Sequence, residues 1–293
     1  MAAVSAQLPR PIAVFGATGQ QGGAVIDALL DRGARVRALV RDPKSDRART
    51  LTDRGVELAA IRTDDPASLA DALTFVEAFF LMTPEANSLA EVATEIRVGT
   101  ALVDAATAAR VPHVVFNSVL GADEESGVPQ HDSKRTIEQR LRQSGLSVTI
   151  VRLAPFMELM APDVEHGEIV LKLPMPADAA LKMISLRDVG RVDAALLLGT
   201  ASAAGRIVEI VGDELTGPEI AAAFGARAGL PARYEALPLS VLPELDRLMF
   251  RQFAQLAEHP SDLAAVRAIE PDALHLGEWI RATGWTAPAD LVG

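Results

Sequence analysis

Residues 12–23 read IAVFGATGQQGG, and the punctuation of this stretch decides the fold. A run of branched and aromatic apolar side chains, Ile12 to Phe15, enters a turn with glycine at positions 16, 19, 22 and 23. Beyond it Val25, Ile26, Leu29 and Leu30 recur at helical spacing. The order is therefore strand, glycine turn, helix. Gly16 permits the tight turn, Gly19 lets the backbone come close to a ligand, and Gly22 lets the helix pack directly on the strand. Together with Thr18, Gln20 and Gln21 they form a loop whose free N–H groups at a helix start suit a diphosphate. Glycine turns also follow many strands that bind nothing, so the triplet alone is weak evidence. Its position in the chain decides.

Apolar runs at 12–15, 36–40, 56–61, 76–82, 113–116 and 147–151 predict six strands. Amphipathic stretches separate them, among them one that carries Leu89, Val92, Ile96 and Val103 on a single helical face. Pro43, Pro66 and Pro112 fall in connections, where a missing N–H is tolerated. This alternation predicts an α/β fold with a doubly wound parallel sheet of the Rossmann type. Each helix returns the chain to the same end of the sheet, so the loops after the strands share one ligand-binding rim. Residues 1–152 are accordingly assigned to a nucleotide-binding domain. In 153–293, Pro155, Pro162, Pro174 and Pro176 interrupt short extended pieces before ISLRDVGRVDAALLLG and RIVEIVGDE resume regular patterns. A smaller α/β lobe covering the rim is expected there, able to return a strand to the sheet. Helices are expected near 216–229 and 240–257, with a docked terminal helix around GEWIRATGW.

Composition narrows the function. With 49% apolar and 23% charged residues the chain is an ordinary globular one. Its net charge of -11, from 28 basic and 39 acidic side chains, disfavours direct contact with nucleic acid or an anionic membrane. The absence of cysteine excludes disulfides, thiol catalysis and thiolate metal sites, and the five histidines show no HxxxH pairing, so no metal is expected. MAAVSAQLPR lacks a secretory core and no apolar run reaches the roughly 20 residues that span a bilayer, so a cytoplasmic location is expected.

The second strand ends Val40-Arg41-Asp42-Pro43-Lys44. An acid at that place accepts from adenosine ribose hydroxyls, whereas a base pairs with a 2′-phosphate. Arg41 comes first and Lys44 is near; the guanidinium fork matches a phosphate, so NADP(H) is expected in preference to NAD(H). The competing arrangement pairs Arg41 with a surface acid and gives the ribose to Asp42.

GATGQQGG, ALVRDP at 38–43, TDDP at 63–66, FLMTP at 80–84, HVVFNS at 113–118, SKRTIEQRLRQSGLSVTIVR at 133–152 and APFME at 154–158 run in this order. Together they resemble the NmrA-like family of atypical short-chain dehydrogenases/reductases, and the likeness continues more loosely through ISLRDVG. The resemblance implies further cofactor contacts at Asp64 beside the adenine, at Met82, Thr83 and Pro84 under the nicotinamide half, at Lys134, and at Pro155 with Phe156. Asp64 serves equally well as a cap for the helix after Pro66, and Met82 and Phe156 as core.

Tyr-dependent short-chain reductases use a Ser, a Tyr and a Lys four residues after the Tyr. Ser118 and Lys134 fit two of these roles, but Gln130 occupies the Tyr position and the sole tyrosine is Tyr234 in the other lobe. Family relatives commonly place His there in a pattern resembling HFxxK. In Gln130-His131-Asp132-Ser133-Lys134 the histidine is displaced by one residue, about 100° on a helix. His131 then points away from the cofactor as a solvated side chain, or an irregular helix start restores it as proton donor. Two functions remain open. One is an NADP(H)-dependent oxidoreductase that passes hydride to a small apolar acceptor such as a quinone, held against Phe156, Met157 and Met160. The other, favoured by the missing tyrosine, is a non-catalytic NADP(H) sensor acting through a protein partner.

Overall fold

A computed structural model describes residues 9–84, 86–123, 125–201, 203 and 205–287. The first half gives β1 (Ile12–Phe15), α1 (Gln20–Asp31), β2 (Val36–Val40), α2 (Asp46–Asp53), β3 (Glu57–Ala60), α3 (Pro66–Ala72), β4 (Ala78–Leu81), α4 (Leu89–Ala108), β5 (Val114–Val119), α5 (Pro129–Gln143) and β6 (Val148–Leu153). The second gives β7 (Asp163–Glu165), β8 (Glu168–Leu173), β9 (Ala180–Met183), α6 (Leu186–Leu197), β10 (Ile207–Ile210), β11 (Asp213–Thr216), α7 (Gly217–Ala228), β12 (Ala232–Ala236), α8 (Glu244–Leu256), α9 (Leu263–Arg267) and α10 (Leu276–Ala282).

Seven parallel strands form the central sheet in the order β10-β6-β5-β4-β1-β2-β3. The chain builds β2 and β3 on one side of β1, then crosses to β4 on the other. The order therefore reverses between β1 and β4, where the loops after these strands diverge and leave a crevice. Alternation along β1 assigns its side chains to two layers. Ile12 and Val14 pack with Val25, Ile26 and Leu29 of α1 and with Val189 and Val192 of α6. Ala13 and Phe15 pack with Leu102 of α4 and with Ile137 and Leu141 of α5.

The second half supplies β10 and α6 to this core. A β-carbon on Gly190 would lie 2.5 Å from the carbonyl carbon of Ala24, so α6 rests on the backbone of α1. The remaining elements form a lobe of β7, β8 and β12 in one sheet and an antiparallel β9–β11 pair, packed around Met157, Leu171, Phe224 and Trp279. Among the described residues no helix is long and apolar enough to cross a membrane.

Three local readings are corrected. The buried face of α4 runs through Val92, Glu95, Val98 and Leu102, while Leu89 is 66% exposed. Val92 and Val103 keep the expected burial and Ile96 is half-buried, but Leu89 drops out and Glu95 enters, because an acid counts as polar until its partners are known. Asp65, not Asp64, caps α3 by accepting from Ala67 N and Ser68 N. The helix expected over 240–257 begins only at Glu244, after a short 3-10 turn at Leu239–Val241 and Pro243.

Candidate functional site

The glycine loop lies at the crevice between β1 and β4. Gly16 has φ +73°, in the left-handed region. A β-carbon on Gly22 would lie 2.6 Å from the carbonyl carbon of Gly16, so the first turn of α1 sits directly on the turn that feeds it. Ser45, Asp65, Ser88 and Ser185 cap α2, α3, α4 and α6 with their side chains, whereas α1 starts at Gly19 with no side-chain cap. Its leading amides and partial positive charge are thus left for an anion, which fits a diphosphate.

Beside the loop a cavity of about 400 Å3 opens on the rim, a size suited to a small molecule. Gln20, Gln21, Met82 and Thr83 line it from the crevice, and Pro155 and Phe156 from the end of β6. Ser118, Gln130, His131 and Lys134 form its polar wall; Met160 and the α8 residues Met249, Phe250 and Phe253 form an apolar roof.

Lys134 is buried, and its Nζ donates to Thr83 Oγ1 at 2.6 Å and to the Thr83 carbonyl at 3.3 Å. Its charge is met by Glu95, which also accepts from Thr83 Oγ1 (2.6 Å) and Ser133 Oγ (2.7 Å). Ser118 donates its hydroxyl proton to Glu138 Oε1 at 2.7 Å, and Arg152 in turn pairs with Glu138 at 3.1 Å. Both buried acids are therefore compensated, as burial requires.

His131 is 3% exposed and lines the cavity, so the solvated reading does not hold. The amides of both His131 and Asp132 donate to the Val128 carbonyl at 2.9 Å, and on this first turn of α5 Gln130 and His131 stand four and three residues before Lys134, on one side of the helix. Burial pushes the imidazole pKa down to about 4, with the Asp132 charge opposing and the Lys134 charge adding to the effect. The ring is neutral at ordinary pH. It lies 6.4 Å from the Phe253 ring, and its Nδ1 is buried without a hydrogen-bond partner.

Arg41, Lys44 and Asp64 are exposed and lie outside the cavity wall, as does Pro84. Asp42 Oδ1 accepts from Lys44 N at 2.8 Å, and Asp64 faces Arg62 at 3.6 Å. Arg47, overlooked in the sequence, donates from Nη1 to the Thr18 carbonyl at 3.3 Å and so brings another guanidinium to the glycine loop. Glu95 and Glu138 were overlooked as well, since only the tertiary pairing reveals them. The roof had a usable signal: Met249, Phe250 and Phe253 are an apolar cluster on an amphipathic helix. Tyr234 is spent elsewhere, donating to the Leu173 and Met175 carbonyls.

The model of the NmrA-like family matches residues 10–278. This chain belongs to the NmrA-like family. It is 33% identical over 233 residues to the NAD(P)H azoreductase of Xenophilus azovorans, covering 78% of this chain and 77% of that one. Its fold is similar to that of the quinone oxidoreductase QOR2 of Escherichia coli complexed with NADPH. The TM-score is 0.79 at 24% identity, over 94% of this NmrA-like chain and 100% of the other. It is also similar to NmrA, a negative transcriptional regulator solved in complex with NADP, with a TM-score of 0.75 at 20% identity over 94% and 95% of the two chains.

Proposed function

We propose that this NmrA-like protein is an NADP(H)-dependent oxidoreductase, cytoplasmic and without direct nucleic-acid contact, that passes hydride to a flat aromatic acceptor such as a quinone or an azo compound. The observation that carries this reading is one cavity with the glycine loop and Lys134 on one side and Met160, Met249, Phe250 and Phe253 on the other. Residues 1–152 serve as the cofactor domain, and 153–293 as a covering lobe that also returns α6 and β10 to that domain's core.

The amides at Gly16 to Gly22, with Thr18, Gln20 and Gln21, hold the diphosphate. Arg41, Lys44 and Arg47 take the 2′-phosphate, a choice supported by Asp42 being turned onto its own loop. Asp64, Met82, Thr83, Pro84, Pro155 and Phe156 flank the nucleotide, and Lys134 holds the nicotinamide ribose. The bound dinucleotide supplies hydride. His131, neutral but carrying one ring proton, donates a hydrogen bond to the acceptor, and Ser118 shapes the wall beside it. The apolar roof excludes water from the reacting atoms.

A second reading, a non-catalytic NADP(H) sensor acting through a protein partner, is favoured by three features of the polar wall. Gln130 replaces tyrosine, the Ser118 proton is committed to Glu138, and the Lys134 ammonium is tied to Glu95. NADPH consumption against a panel of benzoquinones and azo dyes separates the two. Turnover supports the enzyme, whereas tight NADPH binding without turnover on any acceptor replaces it by the sensor.

A further inference from the structure

Asp193 lies on α6 and is 0% exposed. Its Oδ2 accepts from Asn117 Nδ2 at 2.8 Å, and the same Nδ2 stands 3.3 Å from Gln21 Oε1. Asn117 is at the end of β5 and Gln21 in the first turn of α1; both line the cavity beside the glycine loop. Two oxygens of this cluster, Asp193 Oδ1 and Asn117 Oδ1, are buried without a hydrogen-bond partner among the described residues.

An ionised carboxylate in such a place is costly, and two bare acceptors add to the cost. A single proton corrects both faults. A proton on Asp193 Oδ1 would supply the donor that Asn117 Oδ1 lacks, while Asn117 Nδ2 donates to Oδ2, making a two-point acid–amide pair.

Among the described residues the surroundings offer no free counter-charge. α6 packs on α1, β4, β5 and β6. The ionisable groups of these elements are Asp27 and Asp31 of α1, Arg152 of β6, and Arg187, Asp188 and Arg191 of α6 itself. Asp27 pairs with Arg54, Arg152 with Glu138, Arg187 with Asp188 and Arg191 with Glu270, while Asp31 is exposed. Burial pushes the Asp193 pKa up to about 8, opposed only by the Asn117 hydrogen bond.

We infer that Asp193 is a positioning residue of the cofactor site: as a neutral acid it fixes the Asn117 amide, which holds the Gln21 side chain at the glycine loop, and its ionisation puts an unpaired negative charge behind the diphosphate cradle. This rests on the reading that the loop takes NADP(H).

Asp193→Asn is the decisive variant, because an amide keeps the two-point pairing and cannot ionise. NADPH affinity is measured by calorimetry between about pH 6.5 and pH 9.5. The wild-type Kd is expected to rise by up to about tenfold per pH unit above the ionisation, and the variant to remain flat. The same rise in both proteins, or loss of binding at neutral pH in a folded variant, overturns the inference.

Thermal unfolding without cofactor reads the proton separately. The folded state keeps a proton that the unfolded chain releases, so this carboxyl lowers stability progressively from about pH 4 to about pH 8. The Tm advantage of the variant should widen across that window and then level off. NADPH binding without the widening overturns the inference alone; a widening with no NADPH binding by either protein overturns the cofactor reading and the inference with it.

Discussion

A β-carbon on Gly22 would stand 2.6 Å from the carbonyl carbon of Gly16 and 2.9 Å from the amide nitrogen of Ala17. Neither backbone atom can move aside without breaking the turn. Gly22→Ala should therefore lose about 1–3 kcal/mol of stability by overpacking, read as a lower urea midpoint. At Gly19 a β-carbon would be 3.3 Å from the Gly16 carbonyl oxygen. Gly19→Val should retain the fold and lose NADPH binding, since its side chain fills the space beside the amides. Equal stability losses in the two variants would contradict this division of labour.

Arg41 is exposed, and among the described residues its guanidinium makes no hydrogen bond or ion pair. Arg41→Ala should weaken NADPH by about tenfold or more, the scale of one charge-assisted contact, with little change for NADH. Calorimetry with both nucleotides checks it; equal losses would remove the 2′-phosphate assignment.

Glu95 gathers Lys134, Thr83 and Ser133. Glu95→Ala removes the carboxylate that Lys134, Thr83 and Ser133 share and should cost about 3–5 kcal/mol, the usual penalty for breaking one side of a buried pair. Urea denaturation reads this directly. An unchanged midpoint would mean that the Glu95–Lys134 pair adds nothing net to stability.

His131 gives a pH signature of opposite sign to that of Asp193. Its folded pKa of about 4 lies below the ordinary imidazole value of 6.5, so the unfolded chain takes up a proton that the folded state refuses. This contribution is intact above about pH 6.5 and is lost as pH falls toward 4, by up to about 3 kcal/mol. His131→Gln should flatten this part of the acid-unfolding profile. The same variant should slow quinone reduction without changing NADPH affinity; an unaltered rate would take His131 out of the reaction.

Much of the fold was legible along the chain because its signals are local. The six runs between Ile12 and Val151 recur as strands within three residues of their expected bounds, since branched apolar residues bounded by Gly and Pro favour short buried strands wherever they occur. Other readings failed where a side chain's fate depends on a distant partner. Glu95 is polar by type, yet it is drawn into the core by a lysine 39 positions away. His131 stayed open because its burial is set by the cavity wall and by Phe253, which other elements bring to it.

The sequence by itself determined the strand–glycine–helix opening, the parallel αβ alternation and the family, because these rest on residue spacing within short windows. Only the tertiary structure decided which polar side chains share the cavity, which protons are already committed, and that Asp193 is sealed beneath the glycine loop. Those outcomes depend on burial and on donors brought from other elements, and desolvation is a property of the packed molecule rather than of any segment in it.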